Sequence, residues 1–260
     1  MGTAALHVGD VILGVRSNEA EMLTLLTDAL RPALASGVDA YPNVSMQFGE
    51  ARGRSRPLHF VSRRSERIFQ STDRGRILRA VLDQLDSFLP APQGLVRLHA
   101  RVVASKAGAV LLASSFADTV DRFERRPARS AWAAVQSSYA LVSPGSAEVV
   151  LHPLRLPIDP DGIRAIENRY PTSGRVLVSD GQRIPILAVV VHQRESDATL
   201  ADSPAGKFMV VAQLVAVPGD SATGADLERL AELYRVSRVI RTPKLTEQNL
   251  VRLLDELHSR

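Results

Sequence analysis

The stretch from residue 98 to residue 121, LHARVVASKAGAVLLASSFADTVD, decides how the rest of the chain is read. It has the outline of a strand, a turn at Lys106–Gly108, a buried strand over Ala109–Ala113 and a loop leading into a helix. A phosphate-binding loop sits in that setting, between an apolar strand and a helix. Such a loop needs glycines so that backbone N–H groups approach the phosphates, a lysine for the terminal phosphates and a hydroxyl for magnesium. The segment Ala113–Asp121 contains no glycine. No Gly-Lys-Ser/Thr triplet occurs anywhere, and Gly206-Lys207 is followed by Phe208. The frame of a phosphate site is present without its chemistry.

Around this stretch, the composition is that of an ordinary globular protein. The 260 residues are 45% hydrophobic and 23% charged, enough for a sizeable core. Aromatics make up only 5%, so the core rests on Leu, Val, Ile and Ala. The absence of cysteine excludes disulfides, thiol catalysis and Cys-based zinc sites. Asp10 and Arg16 interrupt the early apolar residues, so no signal peptide is expected. The apolar runs Ile186–Val191 and Met209–Val217 are too short to span a bilayer. A cytoplasmic location and no membrane association are expected. A net charge of +4 does not demand a polyanionic partner.

Residues 6–16 read as one strand, bent at Gly9–Asp10. A helix follows, with Met22, Leu25, Leu26, Ala29 and Leu30 at helical spacing. Tyr41–Phe48 and Leu58–Val61 read as strands of a meander, and Ile68–Ser71 as a further partner. Asp73 opens a second helix carrying Ile77, Leu78, Val81, Leu82, Leu85 and Phe88 on one face. Pro90-Ala91-Pro92-Gln93-Gly94 is the best internal boundary. It divides a small α+β domain, residues 1–92, from a second domain, residues 93–260. In the second, Leu95–Val103 and Ala109–Ala113 read as strands, and Ala128–Ser138 has helical composition. Tyr139–Val142 and Val149–Leu151 read as a hairpin. Asp161–Asn168 reads as a short helix. Val176–Val178, Ile184–Val191, Met209–Val217 and Val236–Arg241 read as strands, and Thr223–Tyr234 as a helix. Thr246 caps a last helix that buries Leu250, Leu253, Leu254 and Leu257.

This order of elements, with Leu98-His99-Ala100 opening the second domain, resembles the HPr-kinase-like family, a branch of the phosphate-loop proteins. The resemblance covers about the C-terminal two-thirds of the chain. It implies an α/β fold, a mixed sheet with flanking helices derived from the phosphate-loop architecture, preceded by a small α+β domain. It sets Ser114, Ser115, Phe116 and Asp118 in the phosphate loop, Thr119 at the lysine position and Val120 at the Ser/Thr position. The family's aspartate pair matches Ser137-Ser138, neither of which is a general base at neutral pH. Asp118 and Asp121 would repel polyphosphate. Losing three elements together argues against conventional phosphoryl transfer and against a bound nucleotide cofactor.

Other chemistry is thinly represented. The six histidines, His99 in the opening segment among them, show no metal-ligand spacing, and no metal is expected. Asp159-Pro160-Asp161-Gly162 reads as a turn and helix start more simply than as a magnesium site with Asp180. The dense charged feature is basic: Arg52, Arg54, Arg56, Arg63, Arg64 and Arg67 surround the hairpin of the first domain. Bidentate arginines suit carboxylates of a peptide or partner protein. Interleaved aromatics are sparse and no helix–turn–helix pattern occurs, which speaks against nucleic acid. A solvated basic loop is the competing reading of these arginines.

The chain is similar to recognition proteins from bacterial clusters making ribosomally synthesised, post-translationally modified peptides (RiPPs), those of daptide clusters above all. That similarity implies a non-catalytic protein that binds a precursor's leader segment and presents it to modifying enzymes, with no cofactor. The alternative is a divergent ATP-dependent kinase acting on a peptide or protein serine. Neither a leader sequence nor an oligomeric state follows from the residues.

Overall fold

The computed structural model describes residues 1–51, 53, 55–124, 131–135, 139–143, 145–151, 155–171, 182–193, 214 and 238–258. The protein is mixed α/β and consists of two compact units, Met1–Pro90 with Leu154–Thr172, and Ala91–Pro153 with Ser173–Arg260.

The first unit is built on a five-stranded sheet of order β1-β2-β3-β4-β5. Residues 6–16, read as one bent strand, fold instead as an antiparallel hairpin of β1 (Gly2–Val8) and β2 (Val11–Ser17). Gly9, with φ 59°, supplies the left-handed turn residue between them. Strands β3 (Pro42–Gln47), β4 (His59–Arg63) and β5 (Glu66–Ser71) complete the sheet. Only the β2–β3 pair is parallel. Helices α1 (Ala20–Ala29) and α2 (Arg74–Ser87) share the sheet's apolar core. The Asp73 carboxylate caps α2 by accepting the Arg76 N–H at 3.2 Å. Ile77, Leu78, Val81 and Leu85 then meet Leu13, Val15, Val44, Met46 and Val61 in one buried cluster.

A distant segment joins this unit. Helix α4 (Pro160–Arg169) and the residues before it pack on α1 and α2, burying Leu156 and Ile166 in the first core. The sequence division at residue 92 assigned them to the second domain, and the structure corrects that assignment. Several contacts hold the segment. Arg155 grips Asp86 of α2: its Nη2 is 2.9 Å from Oδ2, its Nε 3.2 Å from the same atom, and its backbone N–H donates to Oδ1 at 2.5 Å. The Asp159 N–H donates to the Ala29 carbonyl at 2.8 Å, and the Asp159 carboxylate caps α4 through the Asp161 N–H at 2.9 Å. Gly162 lies against α1 so closely that a Cβ there would fall 2.6 Å from the Ala29 Cα.

The second unit carries a mixed sheet. Residues 95–103, read as one strand, divide at His99 into β6 (Val96–Leu98), which pairs with β10 (Ala140–Ser143), and β7 (Ala100–Ala104), which pairs with β8 (Ala109–Ala113). The long strand β12 (Gln182–His192) joins the two ladders. Its first four residues pair with β11 (Glu148–Leu151), and Ala188–Val190 lie between β8 and β13 (Arg238–Thr242), parallel to both. Strands buried on both sides of a parallel ladder need continuous apolar runs, and Ala109–Ala113 and Ala188–Val191 supply them. Helices α3 (Ala117–Glu124) and α5 (Glu247–His258) add Val120, Phe123, Leu250, Leu254 and Leu257 to this core.

The helix expected over Ala128–Ser138 is corrected where residues are described. Ala133–Val135 form strand β9 on the open edge of β7, and Trp132 is buried beside it. Strand pairing there outweighs an alanine-rich composition. The strands expected at Val176–Val178 and Met209–Val217, apart from Leu214, and the helix at Thr223–Tyr234 lie outside the described residues. Among the described residues no helix is long and apolar enough to cross a membrane.

The Asp86 side chain is 1% exposed, so its charge depends on Arg155 for compensation. Arg155→Ala is expected to destabilise the first unit by about 3–5 kcal/mol in urea unfolding and to raise hydrogen exchange across residues 155–171. Replacing both residues by apolar ones of similar volume is expected to cost less than the single change.

Candidate functional site

The junction between β8 and α3 is short. Ser114–Phe116 form a single 3-10 turn, and α3 begins at Ala117. Every side chain of β8 is buried, as a central strand requires. Phe116 turns into the core, with its ring centroid 6.2 Å from that of His192 at the end of β12. Thr119 is buried and its hydroxyl donates to the Leu245 carbonyl at 2.8 Å, tying α3 to the segment before α5. Val120 is fully buried. Ser115 and Asp118 are exposed and Ser114 is half-buried. The two positions that the family resemblance sets at lysine and hydroxyl are therefore occupied by packing residues. Asp118 stands in the first turn of α3, where the helix's positive end favours a carboxylate.

Asp121 is also committed to structure. Arg101 on β7 reaches Asp121 Oδ1 at 2.9 Å and Glu124 Oε1 at 3.3 Å. This pairing fixes α3 against the sheet. The carboxyl ends of the parallel strands β8, β12 and β13 fall at Ala113, His192 and Thr242, where open α/β sheets bind ligands. There the Gln193 N–H donates to the Thr242 carbonyl at 3.0 Å, and the Thr242 hydroxyl donates to the Lys244 carbonyl at 2.8 Å. No sequence signal singles out His192, the residue after the apolar run Ile186–Val191. Its approach to Phe116 depends on parallel pairing between β8 and β12, which no local pattern encodes.

The remaining chemistry-bearing residues are dispersed. The His99 N–H donates to the Leu214 carbonyl at 2.5 Å where the chain passes from one ladder to the other. Asp161 pairs with Arg164 on the exposed side of α4. Ser137, Ser138, His152 and Asp180 lie outside the described residues. Among the described residues no group of histidines and carboxylates is assembled for a metal ion.

The arginines of the first unit do not share one face. Arg52 and Arg54 lie outside the described residues. Arg56 is exposed between β3 and β4, and Arg64 holds the β4–β5 turn with φ 56°. Arg63 stands in β4 with the same parity as core residue Val61, and its guanidinium lies 4.3 Å over the Phe88 ring. Arg67 pairs in register with Ser62 on the opposite face, 3.8 Å over Phe60. The cluster seen in sequence is thus split across the sheet.

Beneath the core face lies a polar knot. Arg74 meets Glu19 through two bonds of 2.5 and 2.9 Å and lies 5.2 Å over the Phe48 ring. His59 is buried beside it, its Nδ1 accepting the Gly49 N–H at 3.2 Å. Burial lowers the pKa of His59 below the ordinary histidine value, and the Arg74 charge lowers it further against opposition from Glu19 and Asp73.

Comparison with protein-family models, with curated proteins and with solved structures finds no match to this chain.

His59 folds in the neutral form, so the unfolded chain binds its proton at a higher pH than the native one. Its contribution to stability is complete above the unfolded value of about 6.5 and declines as pH falls toward the lower native value. Urea midpoints at pH 7.5 and 5.5 are expected to show this loss. His59→Asn, which keeps an acceptor for Gly49 without titrating, is expected to reduce it. An unchanged difference between the two pH values would contradict the assignment.

Proposed function

We propose that this chain is a non-catalytic protein of HPr-kinase-like architecture that captures a precursor's leader peptide and presents it to RiPP-modifying enzymes. One observation carries the reading. The β8–α3 junction, where a kinase of that architecture would cradle phosphates, is the three-residue turn Ser114–Phe116, with Phe116 and, from α3, Thr119 and Val120 packed in the core. A phosphate cradle works through free backbone N–H groups, a lysine and a hydroxyl at the terminal phosphates. Thr119 spends its hydroxyl on Leu245. The divergent-kinase alternative requires this core to open and a cation to arrive from elsewhere.

A binding role fits what the chain retains. Arginines without an ion pair among the described residues, Arg16, Arg56, Arg64 and Arg67, suit carboxylate-bearing segments. Among the described residues β5 ends the first unit's pairing order, and a terminal strand can pair with an extended peptide. Apolar anchors would supply affinity, and arginines would steer an acidic leader.

The test is co-precipitation of the tagged full chain with the products of neighbouring genes, with and without the precursor peptide. The precursor alone is expected to be retained, and a modifying enzyme is expected to be retained more strongly in its presence. An enzyme held tightly without precursor, with the precursor never retained, would contradict the reading in favour of a structural subunit.

A further inference from the structure

We infer that the outer face of the first unit's sheet is a binding surface for an acidic peptide segment, an inference that rests on the peptide-recognition reading. The register places one residue from each strand in a single row across all five strands. Thr3 pairs with Arg16, Arg16 with Ser45, Ser45 with Ser62 and Ser62 with Arg67. Their neighbours along each strand, such as Val15, Val44, Met46 and Val61, point into the core, so this row points away from it. Two arginines therefore flank the half-buried Ser62 on the face opposite the helices, with Ser45 buried between Arg16 and Ser62. Adjacent strands are about 4.8 Å apart, which sets Arg16 and Arg67 about 14 Å apart at their Cα atoms.

The charges in this row are available. Elsewhere in the unit Arg31, Arg74, Arg155, Arg164 and Arg169 are each paired with a carboxylate. Among the described residues neither Arg16 nor Arg67 forms an ion pair, and neither Ser45 nor Ser62 forms a side-chain hydrogen bond. Arg67 is exposed and held over Phe60, so its guanidinium is oriented before any ligand arrives. Arg16 is half-buried, in surroundings that strengthen its attraction for a carboxylate.

Apolar anchors adjoin the row. Ile12 lies four residues before Arg16 on the same side of β2 and is 51% exposed. Tyr41 is 82% exposed, and its backbone crosses β2 at Gly14, where a Cβ would fall 2.3 Å from the Tyr41 carbonyl oxygen. Glycine at that position is what allows the crossing. Two guanidinium groups, the Ser62 hydroxyl and two exposed side chains, Ile12 and Tyr41, match a peptide bearing carboxylates and an apolar residue. A single-stranded nucleic acid fits less well, because Phe60 is already covered by Arg67 and offers no free stacking platform.

The test uses the full chain and fluorescence anisotropy at low salt. The probes are a labelled Glu/Leu decapeptide, its Gln/Leu counterpart and an oligothymidylate of ten nucleotides. The acidic peptide is expected to bind best and to weaken as salt rises. Arg16→Gln and Arg67→Gln are each expected to raise its Kd about tenfold, with melting temperatures near that of the parent. Arg238→Gln with Arg252→Gln, on exposed positions of the second unit, removes the same charge and is expected to leave Kd unchanged. Equal loss in both pairs, equal binding of the Gln/Leu peptide or preference for the oligonucleotide would overturn the inference. Retention of a precursor by the Arg16→Gln, Arg67→Gln protein as strongly as by the parent would also overturn it while leaving peptide recognition standing. Failure of precursor retention by the parent chain itself would remove the recognition reading instead.

Discussion

The grip of Arg155 on Asp86 makes one body from two separated pieces of chain. A carboxylate that is 1% exposed is tolerable only with a charged partner and filled hydrogen-bonding sites, and Arg155 supplies both from 69 residues away. Nη2 of the same guanidinium also donates to the Asp86 carbonyl at 2.7 Å, and Nη1 reaches the Pro90 carbonyl. The end of α2 is thereby finished by a segment that follows β11 in sequence. Leu156, Ile166 and the close seat of Gly162 on Ala29 extend the contact into the core. The first unit cannot complete its packing before residues 155–171 are present. The proline-rich stretch at 90–92 marks where the chain leaves the first unit, yet that unit is completed only by Leu154–Thr172.

In the second unit the strand, turn and helix at residues 109–124 are bound into the core. The β8–α3 junction keeps a buried strand and a helix because both are needed to close the core beneath β12. Phe116, Thr119 and Val120 fill the space on its core side. The acidic residues of α3 are divided between the helix's positive end, at Asp118, and Arg101, at Asp121. Charge that would oppose a nucleotide is used to hold the helix.

What the sequence revealed was governed by local rules. The spacing of Ile77, Leu78, Val81, Leu82 and Leu85 announced α2, and Asp73 its start. Thr246 marked the start of α5, and its hydroxyl accepts the Asn249 N–H at 3.2 Å. The missing glycines and lysine at 113–121 were legible because they concern residue identity alone. The return of α4 to the first unit was not, because Asp159-Pro160 encodes a helix start but not what the helix docks on. The faces of the arginines were hidden for a related reason. A register shift between Val61 and Ser62 sets Arg67 opposite Ser62, and a one-residue slip there would exchange its face. Arg16 joined the row only through the parallel β2–β3 pairing, which brings together residues 29 apart. The misread segment at 133–135 was decided by the open edge of β7 rather than by its own composition.

In the proposed function the strand–turn–helix at residues 109–124 is a packing element and not a nucleotide site. Isothermal titration of the full chain with ATP and Mg²⁺ tests it most directly. No saturable heat is expected at nucleotide concentrations up to the millimolar range. Micromolar binding that disappears on substitution within Ser114–Asp121 would contradict the claim and return the chain to the kinases.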